Sequence, residues 1–410
     1  AERSSLLQGS GEGSGFSLTS GDGASTLNIN AFFQFRYVAN FRDDGQTDGA
    51  APTTIGDNDF THGFEIPRAR IDWSGNVAQD NITYRINGDF GYNNNAALGN
   101  TDQHQFQVTW AYGQYAFESA DGLFLRFGQF KAPLLWEELV DPEFQLAGER
   151  SVQGLMLGYE AESFRGYFSV NDGLLSAGTT YNGGGESDIG LTARGEFKFA
   201  GDWAQFTDFT SWRNSDYAGK VGAAIHWETF GDTNPIMGGT AHAAGIGTGI
   251  TEGDLIVYTA DAAVEGNGWN VFGAFYGSHI DGDTAGGTDL DFSDFGIAVQ
   301  GGVFVTEQIE AFARWDAIFF DEDRFAAGSS ADEDLHFLTF GANYYMIPES
   351  HAVKASLELL WALNDNTALF AGGPVGFPGS TGGSASSITS YLGQDDGGEI
   401  AIRAQVGVLF

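Results

Sequence analysis

From Leu27 to Phe41 the chain changes character at almost every residue. Leu27, Ile29, Ala31, Phe33, Phe35, Tyr37, Ala39 and Phe41 alternate with Asn28, Asn30, Gln34, Arg36 and Asn40. A strand turns successive side chains to opposite faces, so this stretch has one apolar and one polar side. It is also longer than the roughly five or six residues of an ordinary soluble strand. The pattern recurs. Pro67, Ala69, Ile71 and Trp73 oppose Arg68, Arg70, Asp72 and Ser74. Ile189, Leu191, Ala193, Phe197 and Phe199 oppose Asp188, Thr192, Arg194, Glu196 and Lys198. Val353, Ala355, Leu357, Leu359 and Trp361 oppose Lys354, Ser356 and Glu358. The last segment, Glu399 to Phe410, repeats it and ends on an aromatic residue.

No charge falls on the apolar faces of these strands. Lipid contact would require that, because a charge at the bilayer midplane costs about 2–4 kcal/mol. The chain has no run of about 20 apolar residues, which excludes a spanning helix. A tilted strand crosses with about 10 residues, only half of them apolar. The expected fold is therefore all-β: a transmembrane antiparallel β-barrel of about 16 strands. A propeller or sandwich array would show shorter strands and an internal repeat. Connections alternate between short (Asn76–Gln79, Glu162–Ser163, Thr306–Glu307) and long (roughly 42–60, 94–102, 132–153, 231–253, 281–290, 364–397). That matches periplasmic turns and external loops. Gly201–Tyr217 breaks the rule, being long and aromatic where a short turn is due. Segments near 103–118, 254–280 and 290–305 choose neither phase cleanly, and a bulge in each would explain that.

Residues 1–24 are rich in Gly and Ser and are expected to form a flexible periplasmic segment, with 25–410 a single barrel. The chain starts at Ala1 without a basic and apolar leader, which is read as removal of a signal peptide and export to the bacterial outer membrane.

Eighteen Lys and Arg stand against 55 Asp and Glu, a net charge of −37. That excludes nucleic acid as a partner. The acidic residues gather in the long connections, and Asp43, Asp44, Asp48, Asp281 and Asp283 are candidates for a structural Ca²⁺ site. The plainer reading is a solvated or lipopolysaccharide-facing surface whose charges are bridged by divalent cations. No cofactor is required. There is no Cys and no H-E-x-x-H or G-x-S-x-G motif, so no enzyme is expected.

The basic residues follow another rule. Arg36, Arg68, Arg70, Arg85, Arg126, Arg194, Lys198, Arg314 and Lys354 lie on the polar faces of strands, with Arg165 and Arg403 beside them. Inside a barrel the polar face is the pore wall, and rows of Arg or Lys select anions. The competing reading is that they brace the wall by pairing with Asp72, Asp89, Glu196, Asp316 and Glu358. The stretch from Gly128 to Ser151 reads as a long loop with a helix-like piece between Pro133 and Pro142, its Leu134, Leu135, Leu139 and Phe144 seeking burial. Folding this third loop into the lumen would bury them.

Phe64-Glu-Ile-Pro-Arg-Ala-Arg70 followed by Ser74-Gly75, then Gln114-Tyr115, Arg126-Phe-Gly-Gln-Phe-Lys131 with Pro133, and Glu149-Arg-Ser151 resemble, in order, signatures of the phosphate-selective porin O and P family. The resemblance implies a trimeric porin with a third loop folded into each lumen and an arginine ladder that passes anions. It carries Arg68, Arg70, Lys131 and Arg150 over as constriction or ladder residues. Pro67 departs from it, standing where the family often has another basic residue. The expected function is passive diffusion of small hydrophilic solutes through an outer-membrane channel in a homotrimer among lipid and lipopolysaccharide. Anion or phosphate preference would come from the ladder. A general or cation-preferring pore set by the acidic loops, and a structural or adhesive barrel, stay open.

Overall fold

The computed structural model describes residues 15–41, 60–91, 106–141, 151–179, 181, 186–231, 250–284, 286–324, 334–364 and 398–410. A short strand, β1 (Phe16–Thr19), turns into β2 (Thr26–Phe41). Then follow β3 (Phe60–Val77), β4 (Gln79–Asp89), β5 (Gln107–Ala116), β6 (Leu123–Lys131), β7 (Ser151–Glu160), β8 (Phe164–Asn171) and β9 (Ile189–Ala200). The second half holds β10 (Ala218–Phe230), β11 (Ile250–Gly266), β12 (Trp269–Thr284), β13 (Asp289–Phe304), β14 (Ile309–Phe319), β15 (Asp334–Tyr345), β16 (Val353–Ala362) and β17 (Ile400–Leu409). From β2 to β17 each strand pairs antiparallel with its sequence neighbours, and β17 closes on β2, so sixteen strands form a closed barrel. Closure leaves no strand edge, which hydrocarbon would not tolerate.

β1 lies against β2 just past the end of β17. Phe16–Thr19 pairs with Thr26–Ile29, while Phe410 exchanges backbone hydrogen bonds with Ala31. Ordered pairing therefore begins before the boundary at residue 25 drawn from sequence. Residues 1–14 lie outside the described residues.

Alternation sorts the faces as expected. Phe33, Phe35, Leu157, Phe197, Ile225, Val299 and Leu357 are exposed on the outside. Gln34, Arg36, Thr192, Arg194, Glu196, Asp316 and Glu358 are buried on the inside. Short turns gather at one rim and long connections at the other. Between β11 and β12 the turn is Asn267-Gly268, with φ of 44° and 84°. Two successive positive φ values are what a two-residue hairpin with the twist of its strands needs, and Asn-Gly meets that need. The connection expected as a long loop at 281–290 is mostly strand: Asp283 pairs with Asp289 across a short tip.

Of the three segments expected to carry bulges, one does. The β4–β5 register slips between Asn87 and Gly88, opposite Trp110 and Val108. β12 and β13 instead pair without a break from Trp269–Val303 to Asp283–Asp289, and the register of β11 with β12 shifts only near Ile250. These strands looked unphased because their inner face is apolar too: Val257, Ala263, Phe272, Ala274 and Ala298 all point inward and are buried.

The outward face of mid-β10 should meet hydrocarbon. Ile225→Arg is expected to cost about 2–4 kcal/mol and Ile309→Arg, at the turn rim, about 0–1 kcal/mol. Urea unfolding of the barrel in lipid vesicles checks this, and equal costs would mean that Ile225 does not face the bilayer core.

Candidate functional site

The interior is built around the connection that follows β6. Gly128 sits at φ 119°, and a Cβ there would lie 2.3 Å from the Ala111 carbonyl oxygen. After Lys131 the chain turns inward through Pro133 to a single helical turn, α1 (Trp136–Leu139). Four residues cannot hold a helix on their own. The barrel wall holds it instead.

Three anchors do so. The Leu134 carbonyl accepts hydrogen bonds from Arg194 Nη1 at 2.8 Å and Thr259 Oγ1 at 2.5 Å. The Trp136 amide donates to Asp261 Oδ2 at 3.3 Å. Glu137 receives Arg314 in a bidentate pair, at 2.5 and 3.0 Å. Arg314 is itself held by Asp316 at 2.8 Å and by Gln300 Oε1 at 3.1 Å. At the far end of α1, Lys131 Nζ donates to the carbonyls of Leu139 (3.2 Å) and Val140 (2.8 Å) and pairs with Asp141 at 3.0 Å. Arg85 joins Asp141 (3.0 Å) to Asp72 (2.7 Å). The third connection thus crosses the interior from β4 and β6 to β14. Burial alone would raise the Asp141 carboxyl, but Arg85 and Lys131 outweigh it and hold it well below the usual carboxylate range.

The expected row of cations is therefore largely a set of ion pairs. Arg36 pairs with Glu65 at 3.1 Å and donates to Gln405 at 3.0 Å. Arg70 pairs with Asp89 at 2.7 Å. Arg194 binds Glu196 and Asp261, both at 2.8 Å, and Arg403 pairs with Glu358. Arg126 differs. It donates to the neutral Gln114 Oε1 at 3.0 and 2.8 Å and lies 4.3 Å over the Tyr112 ring, with no carboxylate partner among the described residues. Arg68 is buried on the same face of β3, opposite Gln34. Lys354 sits at the turn-rim end of β16, opposite Tyr345 and Gly407. Arg150, Asp43, Asp44 and Asp48 lie outside the described residues. Asp281 and Asp283 are on the outward face of β12, and no group of three or more His, Asp or Glu among the described residues could hold a metal ion.

Sequence reasoning missed several members of this site. Lys220 bonds Glu196 at 3.1 Å and lies 4.4 Å from the Trp136 ring. A signal for it existed, since Lys220, His226 and Glu228 oppose Val221, Ile225 and Trp227. Trp110 gathers Lys131, Arg85 and Arg70 at 4.5, 4.7 and 5.8 Å from its ring centre. Glu137 and Asp141 had no periodic signal, because they lie in the connection after β6 and not on an alternating strand.

The unusual connection Gly201–Tyr217 also enters the barrel, from the opposite rim. It opens with a 3-10 turn at Trp203–Thr207. Trp203 Nε1 donates to the Ala161 carbonyl at 3.0 Å. Phe209 packs on Trp136 at 4.4 Å and on Phe272 at 5.2 Å. Trp136 Nε1 donates to the Phe206 carbonyl at 2.9 Å. Farther on, Trp212 sits against Tyr345 (4.8 Å), Phe304 (5.2 Å) and His351 (5.2 Å), and Arg213 donates to the Phe304 carbonyl at 2.6 Å.

Two outcomes test this geometry. Glu137→Ala leaves Arg314 short of a buried partner and should loosen the third connection by about 3–5 kcal/mol. Faster proteolysis within residues 132–150 of the folded barrel would show it, and adding Arg314→Ala should recover part of the loss. Asp141 has a lowered folded-state pKa, so its contribution is present above the unfolded carboxyl value of about 3.9 and fades as pH falls through the lowered one. Resistance of the third connection to proteolysis should accordingly hold from pH 7 down to about pH 4. Asp141→Asn should lower that resistance already at pH 7.

Residues 35–369 match the family model described as phosphate-selective porin O and P. No curated protein matches the chain significantly. Among solved structures, the outer membrane channel DcaP of Acinetobacter baumannii superposes with a TM-score of 0.59 at 12% identity, covering 95% of this chain and 99% of that one. The anion-selective porin from Comamonas acidovorans gives 0.56 at 12% identity, covering 94% and 100%. The trimer form of OmpT, an outer membrane protein of Vibrio cholerae, gives 0.52 at 12% identity, again covering 94% and 100%. At these identities the likeness is one of fold.

Proposed function

The chain belongs to the phosphate-selective porin O and P family and is an outer-membrane channel, and from that premise we propose that it is a restrictive diffusion porin for small hydrophilic solutes with weak charge preference. The observation that carries this is the charge balance beside the third connection. Arg70, Arg85 and Lys131 face Asp89, Asp72 and Asp141, each pair at 2.7–3.0 Å. Opposed charges at such distances leave little net field for a passing ion, while offering donors and acceptors to a polar solute. A homotrimer is part of the proposal, supported by the trimer form of the Vibrio cholerae neighbour. So is contact with lipid and lipopolysaccharide around its outer face.

One observation favours a second reading, anion preference. Arg126 is held by an amide and a ring rather than by a carboxylate. The family's description and the anion-selective Comamonas porin point the same way.

The reversal potential across a planar bilayer in a KCl gradient separates the two. Weak preference predicts an anion-to-cation permeability ratio within about threefold of unity at 1 M salt, less than about 0.7 kcal/mol. At low salt the acidic outer rim, with exposed Asp254, Asp281, Asp283, Asp289 and Asp291, should tilt it toward cations. The Debye length grows from about 3 Å at 1 M to about 10 Å at 0.1 M, so that tilt must vanish with added salt. Strong anion selectivity at every salt concentration, with chloride current blocked by phosphate, would establish the second reading instead.

A further inference from the structure

We propose that Gly201–Tyr217 is a second constriction, entering from the periplasmic rim, and that with the third connection it closes the β8–β17 side of the lumen and confines solute to the β3–β4 wall. The proposal rests on the channel reading but not on the sign of its charge preference.

The two inserted segments meet at one side chain. Trp136, at the start of α1, packs its ring on Phe209 and donates its indole N–H to the Phe206 carbonyl. Lys220 Nζ stands 4.4 Å from the same ring, so the joint is capped from the wall as well. Past this joint the periplasmic segment runs on to β13 and β15, where Thr210 Oγ1 and Tyr345 OH are 3.1 Å apart. Its bonds to Ala161 on one side and to Phe304 on the other span the mouth of the barrel.

Solvent access inside the barrel is lopsided as a result. Along β3, β4 and the third connection, paired side chains keep contact with water: Arg70 10% and Asp89 16%, Arg85 14% and Asp72 10%, Lys131 10% and Asp141 13%, whereas Arg36 on β2 and Arg126 on β6 are buried. On the other side they are sealed: Arg194 0% and Asp261 0%, Lys220 2% and Glu196 3%, Arg314 3% and Asp316 0%, Arg403 4% and Glu358 0%. The wall between the sealed pairs is apolar, with Phe272, Ala274, Ala298, Ile318, Phe337 and Leu360 buried in one cluster with Trp136, Phe206 and Phe209. A surface of that kind excludes hydrated solute and accepts packed aromatic rings. Size selection would therefore be set by Trp136, Phe206 and Phe209, and by the segment that delivers the last two.

Two experiments test the assignment. In the first, Gly201–Tyr217 is replaced by a short Asn-Gly turn, which the facing of Ala200 and Gly219 across β9 and β10 permits. Single-channel conductance should rise by about twofold or more and the size limit for neutral sugars should increase, with charge preference unchanged. A folded trimer of this variant with unaltered conductance and size limit would overturn the proposal. The second keeps Gly201–Tyr217 in place and uses the chain's lack of cysteine. Ser74→Cys on β3, opposite Arg85, and Thr339→Cys on β15, opposite Arg314, both face the lumen. A water-soluble thiol reagent should modify the first at least tenfold faster, a factor of about 1.4 kcal/mol in protection. Equal rates would overturn the one-sided lumen even if the excised variant failed to fold.

Discussion

A sheet in hydrocarbon cannot leave an edge, because every unpaired N–H and C=O would be stranded without water. The ladder from Ile400–Phe41 to Leu409–Phe32 meets that demand by closing the ring. The consequence is geometric. Around eight strands a barrel interior fills with its own side chains, whereas around sixteen it is wide enough to hold an aqueous channel. The width must then be managed by something other than the wall. Here chain is brought in from both rims, and the interior chemistry follows from what that inserted chain needs.

An inserted segment needs its backbone groups satisfied and its charges matched. The Leu134 carbonyl and Trp136 amide find Arg194, Thr259 and Asp261 on the wall. Glu137 and Asp141 bring negative charge to Arg314, Arg85 and Lys131. Pairs this deeply buried contribute little net stability, since desolvation consumes most of the Coulomb gain. Their value is positional: a misplaced segment would strand several charges at once. Apolar burial supplies the adhesion, and a fully buried aromatic side chain is worth about 1.5–3 kcal/mol. Trp136, Phe206 and Phe209 contribute in that way, and the apolar inner faces of β11 to β13 exist to receive them.

That division explains what could be read in the chain beforehand. Leu27–Phe41 and Ile189–Phe199 announce themselves because lipid outside and polar groups inside impose opposite demands on successive residues. The stretches 254–280 and 290–305 do not, because rings and small apolar side chains are wanted inside as well. Bulges were the wrong remedy for them; the strands are regular and the environment is not. The strand cations were legible as a set, and so were the wall carboxylates Asp72, Asp89, Glu196, Asp316 and Glu358 that pair with Arg85, Arg70, Arg194, Arg314 and Arg403; the partners on the inserted chain were not. Glu137 lies 177 residues from Arg314, and nothing local marks it. Gly201–Tyr217 was visible as an anomaly in length and aromatic content. What it packs against could only come from the topology that brings it under α1.

Part of the negative charge stands at the mouth rather than at the constriction. On the outer face of β11, β12 and β13, Asp254, Asp281 and Asp291 stand directly opposite one another, and Glu252, Asp283 and Asp289 form the next row out. Like charges facing across strands destabilise a sheet. Water and counter-ions relieve that repulsion, and hydrocarbon cannot. These rows must therefore stand clear of the bilayer core. Nearer the membrane on the same strands come Tyr258, Phe275 and Phe295, which contact one another and Phe319 at 4.8–6.2 Å. Aromatic rings at that level suit the interfacial girdle of a transmembrane barrel. The boundary between those rings and the carboxylate rows marks where the outer leaflet ends. Above it the surface is a field of negative charge open to water. Below it, inside the barrel, Arg70, Arg85 and Lys131 are each matched to carboxylates, so the two parts of the ion path obey different electrostatics.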